Sequence, residues 1–185
     1  MASVKYKPLP PIKYLLECFE YNHKTGLVVW KSRPLKHFNN DIGWRSFNSQ
    51  FPGTVAKRKD RDGYLTVQMV IDGRRESYQL HRIAWAMHNG SIPVNYQIDH
   101  INHNESDNRI ENLRLATPTE NTRNTRARFG NSKYKGIYFD KSRAKWKAQY
   151  QLNGKRKHIG YFKDEKEAAK AFTKITAPIY KEFAA

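Results

Sequence analysis

Residues 96–124 read YQIDHINHNESDNRIENLRLATPTENTRN. Asp99 and His100 stand side by side behind the lead-in Gln97-Ile98, Asn112 follows His100 by twelve residues, and Asn121 follows Asn112 by nine. Most of the stretch is loop-rich, with Asn, Asp and His crowded together. It ends in a helix signal: Thr117 is an N-cap, Pro118 falls at the first helical position, and Glu120 completes a Thr-x-x-Glu capping box. Upstream, His81–Asn89 (HRIAWAMHN) has helical spacing and stops at Gly90. A hairpin precedes it. Leu65, Val67, Met69 and Ile71 alternate with Thr66, Gln68 and Val70, Asp72-Gly73 supplies a tight turn, and residues 74–80 return as the partner strand. Further out, 12–20 (IKYLLECFE) reads as a short helix and Asn22–Gly26 as a turn cluster. Leu27–Trp30 reads as an apolar strand, and 31–52 as polar, proline-containing and irregular.

Downstream, 124–133 (NTRARFGNSK) has linker composition, and 134–185 forms its own module. Asn153-Gly154 is a strong hairpin signal. A two-residue loop pairs Leu152 with Lys155, Gln151 with Arg156 and Gln149 with His158. Alternation then gives one face of Trp146, Ala148, Tyr150, Leu152, Ile159 and Tyr161. The other face holds Lys145, Lys147, Gln149, Gln151, Arg156 and His158, with Arg143 in the preceding turn. A helix carrying Ala168, Ala171, Phe172 and Ile175 is expected to cover the apolar face. The polar face offers Lys for phosphates, and Gln and Arg for base edges; none of those six positions is acidic, and the sheet offers no aromatic platform. The bland alternative is an ordinary solvated sheet face. The segment YKGIYFDKSRAKWKAQYQLNGKRKHIGYFKDEKEAAKAF resembles the AP2 DNA-binding domain, matching its Tyr-x-Gly start, Trp strand, Gly-x-Phe and Ala-Ala helix over about fifty residues. The resemblance implies a three-stranded antiparallel sheet with one helix, the sheet lying in the DNA major groove. Tyr138, Asp140 and Gln149 depart from the Arg or Trp of plant members, so no target sequence carries over.

The chain has 185 residues, 34 Lys+Arg against 17 Asp+Glu, and a net charge of +17. Residues 1–60 carry +7, 61–125 carry −1 and 126–185 carry +11, so two basic flanks bracket a near-neutral middle. Such flanks suit a polyanion, most simply nucleic acid. With 38% hydrophobic residues and a mean hydropathy of −0.87, two small modules fit better than one large core. No apolar run is long enough to span a membrane, and the start MASVKYKPLPP has no apolar segment of a secretory signal. The lone Cys18 excludes an internal disulfide and a Cys-rich zinc ribbon, and the expected setting is a reducing cytoplasm.

The central stretch resembles the HNH endonuclease family, in the subgroup found among phage homing endonucleases. Asp99-His100, the fragment ENLRLAT, Asn121 on a capped helix and the preceding LHRIAWAMHNG carry the match over 53–125, and LLECFEYNHKTGLVVW extends it more loosely. The resemblance implies an α+β chain: a ββα-metal (His-Me finger) module plus the AP2-like module. The boundaries read 1–52 as an N-terminal extension, 53–125 as the nuclease domain, 126–133 as a linker and 134–185 as the DNA-binding domain. Two antiparallel strands and a helix are implied to grip one divalent ion. Asp99 and His100 lie on the first strand and Asn121 on the helix, and Asn112, the motif's middle Asn, braces the loop through backbone hydrogen bonds.

The residue types suit phosphodiester cleavage. A neutral His100 takes the proton of the attacking water. Asp99 and the amide oxygen of Asn121 make a hard oxygen set for Mg²⁺, or Mn²⁺. Family members often place His where Asn121 stands, and Asn shifts the preference away from zinc. His81 is either structural or part of the site. His103 and Asn104 either touch metal or phosphate or are turn residues. Asn108 reads as a loop brace, and Arg114 either contacts phosphate or pairs with Glu111. Trp85 reads as core and Asn124 as solvent-facing. The expected function is site-specific, metal-dependent cleavage of double-stranded DNA, by a monomer or homodimer, without a membrane, in a host bacterial cytoplasm if phage-encoded. The rivals are a DNA-binding regulator with an inert nuclease module, and an RNA-binding protein.

Overall fold

In the computed structural model, which describes residues 7–71, 73–124 and 132–183, the chain begins with helix α1 (Ile12–Cys18). Strands β1 (Phe19–Asn22) and β2 (Leu27–Trp30) follow as a hairpin. The helix stops two residues short of the expected end because Phe19 leaves it to pair with Trp30, their rings 4.3 Å apart in the core. Residues 31–52 were expected to be irregular, yet they hold a 3₁₀ turn (Leu35–His37) and helix α2 (Asp41–Gln50). The physical reason is local. Asn40 caps the helix by accepting from the Gly43 N–H at 2.8 Å, and Phe47 and Phe51, one turn apart, stack on each other.

A three-stranded antiparallel sheet follows, β3 (Arg58–Lys59), β4 (Leu65–Ile71) and β5 (Arg74–Gln79), in the order β3-β4-β5. Val67 and Met69 point inward as the alternation implies. Of the expected turn, Asp72 lies outside the described residues. Helix α3 (Leu80–Asn89) ends at Gly90 in a positive-φ C-cap. These elements share a core built on Leu15, Phe19, Val28, Trp30, Met69, Leu80 and Ile83. Each such side chain contributes roughly 1.5–3 kcal/mol by its burial. Cys18 lies in that core, and burial pushes its thiol up to about 11. Strands β6 (Gln97–His100) and β7 (Leu113–Ala116) then form a separate antiparallel pair, with Ile98 and Leu113 packed on Ala84 of α3.

The chain divides into two units, residues 1–117 and 118–185. The second opens with helix α4 (Pro118–Asn124). Its carbonyl end is tied down by Lys135, whose ammonium donates to Thr122 O at 2.8 Å and also to Arg123 O. Burial lowers the Lys135 pKa to about 8. Of the expected linker, residues 126–131 lie outside the described residues. Strands β8 (Ile137–Asp140), β9 (Lys145–Leu152) and β10 (Lys155–Phe162) form a sheet in the order β10-β9-β8, covered by α5 (Glu165–Tyr180). Asn153 (φ 51°) and Gly154 (φ 76°) make the two-residue turn, and the register pairs Gln151 with Arg156 and Gln149 with His158.

Two details depart from simple alternation. A bulge between His158 and Gly160 inserts Ile159, so Tyr161 pairs with Lys147 on the polar face and Phe162 takes its place inside. Tyr138 also pairs with Lys147. The polar face therefore carries two exposed tyrosines, at 45% and 37% exposure, where no aromatic platform was expected. On α5 the buried stripe is Ala168, Phe172, Thr176 and Tyr180, one turn apart each time, and Ile175 is exposed. Thr176 fits inside because its hydroxyl donates to Phe172 O at 2.8 Å. Among the described residues, no helix is long and apolar enough to cross a membrane.

Candidate active site

The β6–β7 register sets Asp99 opposite Arg114 and His100 opposite Leu113. Neighbours on a strand point to opposite faces, yet Asp99 and His100 are both buried, so this short strand is covered on both sides. Arg114 Nε donates to Asp99 Oδ2 at 2.8 Å. The alternative pairing of Arg114 with Glu111 does not form; Glu111 is taken by Arg109 at 2.7 Å. A buried carboxylate needs such a partner, since an uncompensated one costs several kcal/mol (~3–5 on removal of the partner).

On the other face, His100 Nε2 donates to the amide oxygen of Asn108 at 3.0 Å. An amide oxygen only accepts, so this bond places the imidazole proton on Nε2 and the basic lone pair on Nδ1. The His81 ring meets His100 edge-on, with centroids 4.9 Å apart, and Tyr64 flanks both rings. Burial holds His100 below the usual histidine range, partly offset by its bond to Asn108, and His81 well below it. His100 is thus the neutral imidazole at neutral pH. Among the described residues His81 Nδ1 has no hydrogen-bond partner, which fits a neutral ring forming part of the floor.

The loop between the strands is organised by Asn112 and Asp107. Asn112 Oδ1 accepts from Asn102 N at 3.0 Å, and its Nδ2 donates to Asp107 O at 2.8 Å. The Asp107 carboxylate accepts from Asn102 Nδ2 (2.8 Å) and from Arg109 Nε (2.9 Å) and Nη2 (2.7 Å). The Arg109 bonds hold its carboxyl at about 2. Asn104 is a turn residue: its N–H donates to Asn102 Oδ1 at 2.8 Å, and its own Oδ1 accepts from Ser106 N. His103 takes a positive φ of 58° in the same turn. Asn121 lies half-buried on α4, and Asn124 is buried there rather than facing solvent.

Residues 78–123, which contain the hairpin and α4 up to Arg123, match the family model for the HNH endonuclease. The chain carries an HNH endonuclease domain. It is 40% identical over 76 residues to Protein 3.8 of Escherichia phage T7, covering 40% of this chain and 63% of that one. It is 35% identical over 108 residues to an uncharacterized HNH endonuclease of Acanthamoeba polyphaga mimivirus, covering 58% and 56%. A solved structure of DNA binding and cleavage by the HNH homing endonuclease I-HmuI is similar at 22% identity and a TM-score of 0.43, over 62% of this chain and 55% of that one. The chain spans less than two thirds of the length of each of these relatives.

The HNH domain is buttressed by residues far upstream that the motif does not contain. Tyr21 Oη donates to Asn108 O at 2.7 Å, and Ile110 N donates to His23 O at 3.1 Å. Burial pushes the Tyr21 hydroxyl up to about 12, so it stays a donor. Gly26 (φ +74°) lies so close to the loop that a Cβ there would sit 2.6 Å from Arg109 N and 2.7 Å from Asn108 C. The sequence signals were the looser HNH likeness of residues 15–30 and the Asn22–Gly26 turn, where Asn22 Oδ1 accepts from Lys24 N and Thr25 N. They announced a turn but not what the turn touches.

In the second unit, the face opposite the helix carries Lys145, Lys147, Gln149, Gln151, Arg156 and His158 beside Tyr138 and Tyr161. Arg143 lies over the Tyr161 ring at 5.0 Å and donates to Asp140 at 3.1 Å, so it joins that face with its fork held in place. His158 packs on the same ring at 4.8 Å.

Proposed function

We propose that this chain is a site-specific endonuclease that hydrolyses phosphodiester bonds in double-stranded DNA with the help of a divalent cation, in the manner of phage homing enzymes. The observation that carries this reading is the buried His100, held by Asn108 with its basic nitrogen defined, on the same strand as the buried carboxylate of Asp99 within an HNH domain. The nuclease region is read as 53–125, supported by 1–52, and the DNA-binding domain as 134–185, similar to AP2.

His100 accepts the proton of the attacking water at Nδ1. Asn108 keeps the other nitrogen protonated, and Asn112 keeps the loop that bears Asn108 in one shape. Asp99 and Asn121 are the residues that would hold the cation. The donor set fits a hard ion because it is all oxygen. When bound, Mg²⁺ or Mn²⁺ supplies Lewis-acid stabilisation of the scissile phosphate and of the departing 3′ oxygen. Arg114 keeps one oxygen of Asp99 oriented and offsets its charge. The sheet face of Lys145, Lys147, Gln149, Gln151, Arg156, His158 and Arg143 holds the duplex, lysines on phosphates and the planar groups toward base edges.

The test is incubation of supercoiled plasmid, carrying the gene's own flanking DNA, with Mg²⁺ or with EDTA. Conversion by wild type in Mg²⁺ alone, with none by His100→Ala, is the expected result. Equal conversion by both proteins sinks the assignment of His100. A band shift without any conversion points instead to a DNA-binding regulator.

A further inference from the structure

The first unit holds a cleft of about 620 Å³ whose lining includes no residue of the β6–β7 hairpin or its loop. Arg33 lies against it, only 5% exposed. Its guanidinium carbon is 4.8 Å from the ring centre of Phe38, 5.1 Å from Phe47, 5.7 Å from Tyr14 and 5.8 Å from Trp30. Nη2 donates to Tyr14 Oη at 2.6 Å and Nε to His37 Nδ1 at 3.4 Å. Among the described residues no carboxylate pairs with it; Glu17 is taken up by Lys36 and His37. Asn48 and Trp44 bind both backbone groups of Arg33, so its root is fixed.

Ring faces offset part of the cost of burying a cation, but a charge is ordinarily buried with an opposite charge beside it. The described walls of the cleft supply none, for they contain no Asp or Glu. They add two further cations instead: Lys36, which is paired with Glu17, and Arg75 on β5, which is exposed and forms no ion pair among the described residues. They also present stacked rings, Phe47 on Phe51 at 4.8 Å, with Phe51 42% exposed. Unpaired guanidinium charge and open aromatic faces together match an anion that carries a planar ring. The volume lies within the range of small-molecule sites, roughly 300–1,000 Å³.

We infer that this cleft binds a nucleoside phosphate, with the phosphate toward Arg33 and Arg75 and the base against the Phe47–Phe51 stack. The ligand is either a free mononucleotide or one nucleotide of a nucleic-acid strand. Charge-assisted hydrogen bonds to phosphate and base–aromatic stacking supply the affinity.

The experiment is calorimetric titration of the full chain with adenosine 5′-monophosphate, adenosine, inorganic phosphate and a short single-stranded oligonucleotide. Wild type is compared with Arg75→Gln, Phe51→Ala and Arg33→Gln, and thermal melts verify folding. The nucleotide is expected to bind more tightly than adenosine or phosphate alone. Arg75→Gln and Phe51→Ala, both at exposed positions, should each weaken it about fivefold or more, as loss of one such contact implies. Binding of the oligonucleotide but not the mononucleotide, with the same sensitivity to Arg75→Gln and Phe51→Ala, assigns the site to a strand. Absence of binding by both, or binding unchanged in both exposed variants, overturns the inference.

Discussion

The amide oxygen of Asn108 lies 3.0 Å from Nε2 of His100, and both side chains are buried. The bond fixes which nitrogen of His100 carries the proton. Asn108→Ala should leave the ring in place against His81 but free to change tautomer. Cleavage is expected to fall roughly tenfold to a hundredfold, the usual effect of removing an orienting partner. His100→Ala should cost about 10²–10⁴, the contribution of a positioned general base. Plasmid cleavage rates for both variants, beside an unchanged band shift, check the pair; an Asn108→Ala enzyme as fast as wild type would remove the orienting role.

Asp107 is held at about 2, chiefly by the hydrogen bond from Arg109. A carboxyl depressed in the folded state contributes stability that is present above its unfolded value, near 3.9, and is lost as pH falls through about 2. Asp107→Asn should therefore lower the melting temperature at pH 7. The gap between the two proteins should narrow between about pH 4 and pH 2. Melts across that range measure it, and a gap that is constant with pH contradicts the assignment.

Gly26→Ala places a methyl group against Arg109 N and Asn108 C on a backbone of φ +74°. Strain and overpacking together are expected to cost about 2–4 kcal/mol. Because the loop that receives the clash also orients His100, cleavage should fall with stability. DNA binding by the separate second unit should persist. Loss of stability with full cleavage at a permissive temperature would show that the hairpin only stabilises.

Lys147 is flanked on the exposed sheet face by Tyr138 and Tyr161. If it meets a phosphate, Lys147→Ala should weaken binding to all duplexes alike and reduce the slope of log affinity against log salt by about 0.9. Fluorescence anisotropy at several salt concentrations gives that slope. A change confined to one base position would instead make Lys147 a reader of sequence.

Much of this was legible beforehand, where local rules and tertiary structure agree. Asn153-Gly154 specified its turn and with it the register from Leu152–Lys155 to Gln149–His158. Asp99 and His100 were placed by motif on a strand, and they lie on β6. The failures share one cause: contacts made at a distance. Ile159 bulges without any sequence mark, and the shift carries Tyr161 to the polar face. Thr176 is buried because its hydroxyl turns back to the helix, while Ile175 stays exposed. Helix α2 hid in a polar stretch because a cap and two phenylalanines define it. Arg114 was read as contacting phosphate or pairing with its sequence neighbour Glu111, and it pairs with Asp99, across the strands. The looser HNH likeness of residues 15–30 took in Tyr21 and Gly26 without saying that they brace the loop around Asn108.

The hydrogen bond from Tyr21 to Asn108 joins residues 87 positions apart. Closing a loop of that length comes late in folding, after the local helices and hairpins have formed. A nascent or proteolysed chain that lacks the first hairpin would carry every motif residue yet lack the buttress that shapes their loop. Under the proposed function, competence to cut is thereby coupled to completion of the unit, so that fragments and misfolded copies would be the ones least able to damage a genome.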